Sequence, residues 1–123
     1  MMRVFKTHHF QRWMRKTKLT DAVLCKAVQE MAGGLIDADL GGSVVKKRVG
    51  LAGRGKRGGV RTLIATNKGN RWFFVFGFEK NERDNINDEE LQALKDYAAD
   101  WLKRTSTELD DAVADGMLQE ICQ

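Results

Sequence analysis

Apolar residues recur along the chain in two rhythms. Met2 to Lys6 (MRVFK) alternates in the manner of a short first strand, with Val4 and Phe5 as its apolar content. From His8 to Lys16 the spacing widens, and Phe10, Trp13 and Met14 fall at i, i+3 and i+4 on one face of a helix. Thr20 is a good N-cap for a second helix in which Leu24, Ala27, Val28 and Met31 share a face, and Gly33-Gly34 stops it. LIDADLGG, residues 35–42, reads as a loop. Three strand-like pieces follow, Ser43 to Leu51, Val60 to Thr66 and Arg71 to Phe78, with Asn67-Lys68-Gly69-Asn70 as the hairpin turn between the last two. Asn87-Asp88-Glu89-Glu90 has the form of a capping box, ahead of the stripe Leu91, Leu94, Ala98, Trp101 and Leu102.

The expected order is β-α-α-β-β-β-α, an α+β fold with a small antiparallel-rich sheet and helices packed on one face. The chain of 123 residues is long enough for one domain with its own core. Composition turns acidic after Arg104, so residues 1–104 read as the domain and 105–123 as an acidic C-terminal extension that adds a weak helix. The apolar runs, such as Trp72 to Phe76, are too short to span a bilayer, and MMRVFKTHHFQRW lacks the apolar stretch of a secretory signal. The expectation is a cytoplasmic protein with no membrane partner. Cys25 and Cys122 accordingly read as free thiols, one of them a small core residue.

Charge adds a polarity that the apolar pattern does not show. Residues 1–83 hold 18 Lys/Arg against 6 Asp/Glu, and residues 84–123 hold 3 against 11. The extreme is Lys46 to Arg61, with seven basic residues and no acid. Such a stretch is the electrostatic footprint of a surface that meets polyanions.

Within that stretch, GRGKRGGVR (residues 53–61) matches two nucleotide-loop patterns literally. Gly53-Arg-Gly55-Lys-Arg-Gly58 has the dinucleotide spacing, but its glycines precede the strand-like Val60 to Ile64 instead of opening a helix. Gly50 to Lys56 approaches a Walker A loop, yet Arg57 stands where the magnesium-binding Ser/Thr belongs. Neither reading survives, so no nucleotide cofactor is expected. His8 and His9 are adjacent, and no Cys or carboxylate cluster has ligand spacing, so no metal is expected either. Glu79, Glu82 and Asp84 are interleaved with Lys80 and Arg83 and read as a solvated turn. Trp13 and Trp101 lie on apolar stripes and read as core; Trp72 is left open. If Lys46, Arg48, Arg61 and Lys80 share a face, several cations converge on the sheet. Such a cluster can hold phosphates. It can also do chemistry, because crowded cations make a neutral lysine base accessible and guanidinium groups stabilise a phosphorane.

The runs GLIDADLGG, VVKKRVGLAGRGKRGGVRTLIA and FVFGFEKNERDNINDEEL resemble the RelE/HigB-type toxins of bacterial toxin–antitoxin modules, within the RelE/ParE superfamily. The similarity covers about residues 2–104, and its most specific parts are G-K-x-G-G-x-R and G-F-x-K-N-E-x-x-N-I. The resemblance implies a metal-free, cofactor-free mRNA endonuclease acting in the ribosomal A site, neutralised by a cognate antitoxin, often a helix-turn-helix protein. By position, Lys46 and Arg48 match basic residues before the loop, Lys56 and Arg57 the loop cations, Arg61 the arginine opening the next strand, and Lys80 the lysine after the last strand. Arg61, Lys80, Arg48 and Lys56 are therefore the catalytic candidates, and Lys46, Lys47, Arg54, Arg57 and Arg83 the RNA-binding ones. After Lys80 the pattern changes: Asn81 stands where an arginine is expected, and no aromatic lies near Ile86 where a stacking tyrosine is. Either Arg83 substitutes, or stacking comes from elsewhere, or cleavage is weak. A gyrase-directed toxin of ParE type, or a module that binds RNA or antitoxin without cutting, is the alternative.

Overall fold

A computed structural model describes residues 2–51 and 55–123, and of residues 55–58 the backbone alone. The elements are β1 (Arg3–Thr7), α1 (His8–Met14), α2 (Asp21–Ala32), β2 (Ala38–Gly41), β3 (Val44–Leu51), β4 (Gly55–Thr66), β5 (Arg71–Glu79), α3 (Asp88–Leu102), α4 (Ser106–Ala114) and β6 (Leu118–Ile121). Six strands form one sheet in the order β2-β3-β4-β5-β1-β6. All neighbours are antiparallel except β1 and β5, which run parallel from Arg3↔Arg71 to Lys6↔Phe74.

Local chemistry sets most of these boundaries. The Thr20 hydroxyl accepts from Val23 N–H to start α2, whose stripe Leu24, Ala27, Val28 and Met31 is buried as its spacing predicts. Asn87 and Glu90 exchange reciprocal bonds, Asn87 Oδ1 accepting from Glu90 N–H and Glu90 Oε1 from Asn87 N–H, so α3 begins with a full capping box. Thr105 and Glu108 repeat the device at the start of α4. In the β4–β5 turn, Asn67 Oδ1 accepts from the N–H groups of Gly69 and Arg71.

The α+β class and the antiparallel centre follow expectation, but the helices cover both faces of the sheet and not one. Along the strands, side chains alternate between two cores. Val4, Val45, Val49, Val60, Ile64, Trp72 and Phe74 join α1 and α2 in the first. Phe5, Val44, Leu63, Ala65, Phe73 and Val75 join α3 and α4 in the second. A sheet apolar on both faces needs two covers, and the near-continuous apolar run of β5 is the sequence mark of that.

Two strands lay outside the sequence reading. β2 falls inside LIDADLGG, where Asp39 and two glycines hide a pairing with β3 that rests on backbone bonds and carries a bulge. β6 lies in residues 105–123, the segment read as an extension; it pairs with β1 from Val4↔Ile121 to Thr7↔Leu118. Arg3 fastens the same edge, its Nε and Nη2 donating to Glu120 at 2.9 and 2.8 Å and Nη2 also to Asp110 at 2.7 Å. Cys25 and Cys122, read as free thiols, are joined in a disulfide with Cα atoms 5.5 Å apart. Their separation of 97 residues gave no hint of this. It is β6 that brings the chain back, seating Ile121 in the core that Cys25 packs against. Among the described residues no helix is long and apolar enough to cross a membrane.

Candidate nucleic-acid interface

Pairing of β3, β4 and β5 sorts the basic residues by face. Arg48 opposes Arg61, which opposes Phe78; one step along, Lys46 opposes Leu63, which opposes Phe76. Leu63 belongs to the core under α3 and α4, so both rows lie on that face, and Arg48, Arg61 and Lys46 are brought together there.

Arg61 is the centre of the arrangement. It is 9% exposed, and its Nη1 is buried with no hydrogen-bond partner among the described residues. A buried donor left unpaired costs about 1–3 kcal/mol, and like charges directly opposite across strands are also unfavourable. Arg48 relieves part of this by leaning outward: its Nε donates to Asp37 Oδ1 at 3.2 Å and its backbone N–H to Asp37 Oδ2 at 2.7 Å. Its side chain stays 48% exposed. Lys46 is half-buried and has no ion-pair partner among the described residues. The result is a cluster of three cations on one face, with donor capacity at Arg61 that the described residues do not use.

The remaining candidates are placed differently. Lys47 points to the opposite face, where its Nζ meets Leu35 O at 2.9 Å and Glu30 Oε1 at 3.0 Å. Strand alternation thus separates it from Lys46 and Arg48 on the other face and holds it as a buried, paired cation. Lys80 stands exposed one residue past β5. Arg83 forks onto Glu90 and donates its Nε to Asn85 O, and its Cζ lies 5.9 Å from the ring centroids of both Phe76 and Phe78. The Arg83 hydrogen bonds hold the Glu90 carboxyl below its ordinary value, and Glu90 in turn pushes the guanidinium up. The turn after β5 is therefore fastened to α3, not merely solvated. The side chains of Lys56 and Arg57, and Arg54 altogether, lie outside the described residues.

The glycine run has a steric reason that its phosphate-loop spacing obscured. A Cβ at Gly59 would fall 1.9 Å from Val49 O, so only glycine lets β4 close on β3 beside the bulge. Phe76 and Phe78 were not singled out from the sequence, because RWFFVFGF reads as an undivided apolar run. Its available signal was the register that sets them beside Leu63 and Arg61. Among the described residues, no group of three His, Cys, Asp or Glu gathers that could hold a metal ion.

A family model described as the RelE toxin of the RelE/RelB toxin-antitoxin system matches residues 2–121. That span takes in α4 and β6 as well as the basic strands. No curated protein sequence matches the chain.

Proposed function

The chain belongs to the family of RelE toxins of RelE/RelB toxin–antitoxin systems, and on that premise we propose that it is a metal-independent endoribonuclease that cuts mRNA in the ribosomal A site. As a toxin of such a pair it has an antitoxin for a partner. We take that antitoxin to be a helix-turn-helix protein.

One observation carries the nuclease reading: the buried, unpaired Nη1 of Arg61, set opposite Arg48 and Phe78. RNA brings its own nucleophile. The 2′-hydroxyl attacks the adjacent phosphorus, a P–O2′ bond forms, the P–O5′ bond breaks, and a 2′,3′-cyclic phosphate and a 5′-hydroxyl result. Charge grows on the non-bridging oxygens as the phosphorane forms, and a fixed guanidinium stabilises it most at that point. Arg61 has that role, with Arg48 and Lys46 holding the strand on either side. The 2′-hydroxyl proton passes to a lysine, and the 5′ oxygen receives one as it leaves. Lys46 and Lys80 are the described candidates for these transfers, and Lys56 is the third.

The test is primer extension on transcripts from cells expressing the chain, beside the Arg61→Ala variant. Cleavage at codon positions that the substitution abolishes is the expected result. Intact transcripts together with inhibited DNA supercoiling would overturn the reading and favour a gyrase-directed toxin.

A further inference from the structure

Where β5 runs on beyond its pairing with β1, a groove of about 460 Å³ opens between α1 and the end of β5. Its size falls within the range of small-ligand sites. The floor is aromatic. A Cβ at Gly77 would lie 2.3 Å from the Trp13 ring, so the indole rests directly on the backbone of β5. Phe76, which packs on the other face of the sheet, lines the groove as well; it is half-buried, with the His9 ring stacked on it at 5.7 Å and 8° between planes.

The rim is cationic. His9, Arg12, Trp13 and Lys16 occur at i, i+3, i+4 and i+7, so one side of α1 and the turn after it face the groove. Arg12 and Lys16 are exposed and have no ion-pair partner among the described residues. Across from them stands Arg83, and Glu82 is the one acid in the lining. Trp13, whose stripe reads as core, is thus only half-buried: it packs on Phe10 from one side and lines the groove with the other.

We propose that this groove holds one nucleotide of single-stranded RNA flanking the cut, its base against Trp13 and its phosphate on Arg12 and Lys16. Aromatic faces for bases and unpaired cations along the backbone are the two means by which single strands are held without sequence readout. Continuity supports the assignment, because Phe76 and Phe78 end the same cross-strand rows that begin at Lys46 and Arg48. The inference rests on the nuclease reading, since a cut strand must run on past the scissile phosphate.

The experiment is a titration of the full chain with a 2′-O-methyl RNA decanucleotide, whose blocked 2′ oxygens prevent cleavage, followed by tryptophan emission. Trp72 and Trp101 are 0% and 2% exposed, so quenching reports on Trp13. Saturable quenching is expected, and Trp13→Phe should remove it while binding persists by a labelled-RNA assay. Arg12→Glu with Lys16→Glu should weaken binding at least tenfold. It should also reduce the slope of log affinity against log salt by about 0.7, the share of one phosphate contact on a single strand. Binding without any change in tryptophan emission would overturn the proposal, as would a double variant with unaltered affinity and slope. So would a double variant that binds RNA normally but loses an acidic antitoxin. Quenching retained in Arg61→Ala, with cleavage gone, supports the groove as a separate contact. Quenching and salt effects intact in a wild-type chain that cuts nothing would remove the nuclease reading and leave the groove standing.

Discussion

Lys47 and Arg61 lie in neighbouring strands, Lys47 opposite Thr62, and are 3% and 9% exposed. Both are cations that folding has taken out of water, and they are treated oppositely. Lys47 has a carboxylate and a carbonyl within 3.0 Å. Arg61 has an arginine across from it and a buried nitrogen with no partner among the described residues. Burial by itself therefore says nothing about role. A satisfied buried charge pins a loop and a helix to the sheet. Arg61 keeps a donor for which the described residues offer no acceptor.

Substitutions at these two positions should separate the roles. Arg61→Ala should lower RNA cleavage by roughly 10²–10³-fold, the usual cost of removing one transition-state donor, with circular dichroism unchanged. Cleavage at the wild-type rate would reduce the orphan guanidinium to a packing defect. Next in size, Lys47→Met should cost about 2 kcal/mol in urea unfolding, because Glu30 and the Leu35 carbonyl lose their shared cation. Cleavage per folded molecule should not change, and a loss there would erase the contrast. Smaller still, Arg61→Met should stabilise the protein by about 1 kcal/mol, raising Tm by about 4 °C in calorimetry. A lowered Tm would mean that Arg61 finds its partner within the chain.

The least effect belongs to the exposed pair Arg83–Glu90. Glu90 titrates below its ordinary value because Arg83 hydrogen-bonds its carboxylate. Its contribution is therefore complete above the unfolded carboxylate pKa and is lost as pH falls through the lower folded value. Thermal melts from pH 7 down to pH 3 should show a slightly shallower acid decline for Glu90→Gln than for wild type. Identical profiles would show that the fork is a surface pair of no measurable consequence.

Much of the fold was legible because it is local. The stripes of α2 and α3, the N-caps at Thr20 and Asn87 and the Asn67 turn each depend on residues within a few positions of one another. The disulfide, β6 and the parallel β1–β5 pairing depend on residues far apart, and no periodicity announces them. The site divides in the same way. Lys46, Arg48 and Arg61 share a face of the sheet, Arg61 within β4 and not at its start, because β4 begins at Gly55; alternation along β3 is enough to turn Lys47 away. The aromatic half escaped notice because Phe76 and Phe78 look like core until the register beside Arg61 is known. Likewise the one-sided cations of α1 were masked by the apolar spacing of Phe10, Trp13 and Met14 within the same nine residues.

The position of β1 between β5 and β6 also divides the sheet into near and distant pairings. Strands β3, β4 and β5 are consecutive, joined by antiparallel pairings, and can zip together as soon as each is made. β1 is made first, yet its partners are Arg71 and its neighbours on one side and residues 118–121 on the other. Its pairing carries the sequence separation that slows folding, and until it arrives the outer edge of β5 has backbone groups to spare. The cationic rows thus rest on pairings close in sequence, and their brace on pairings distant in it.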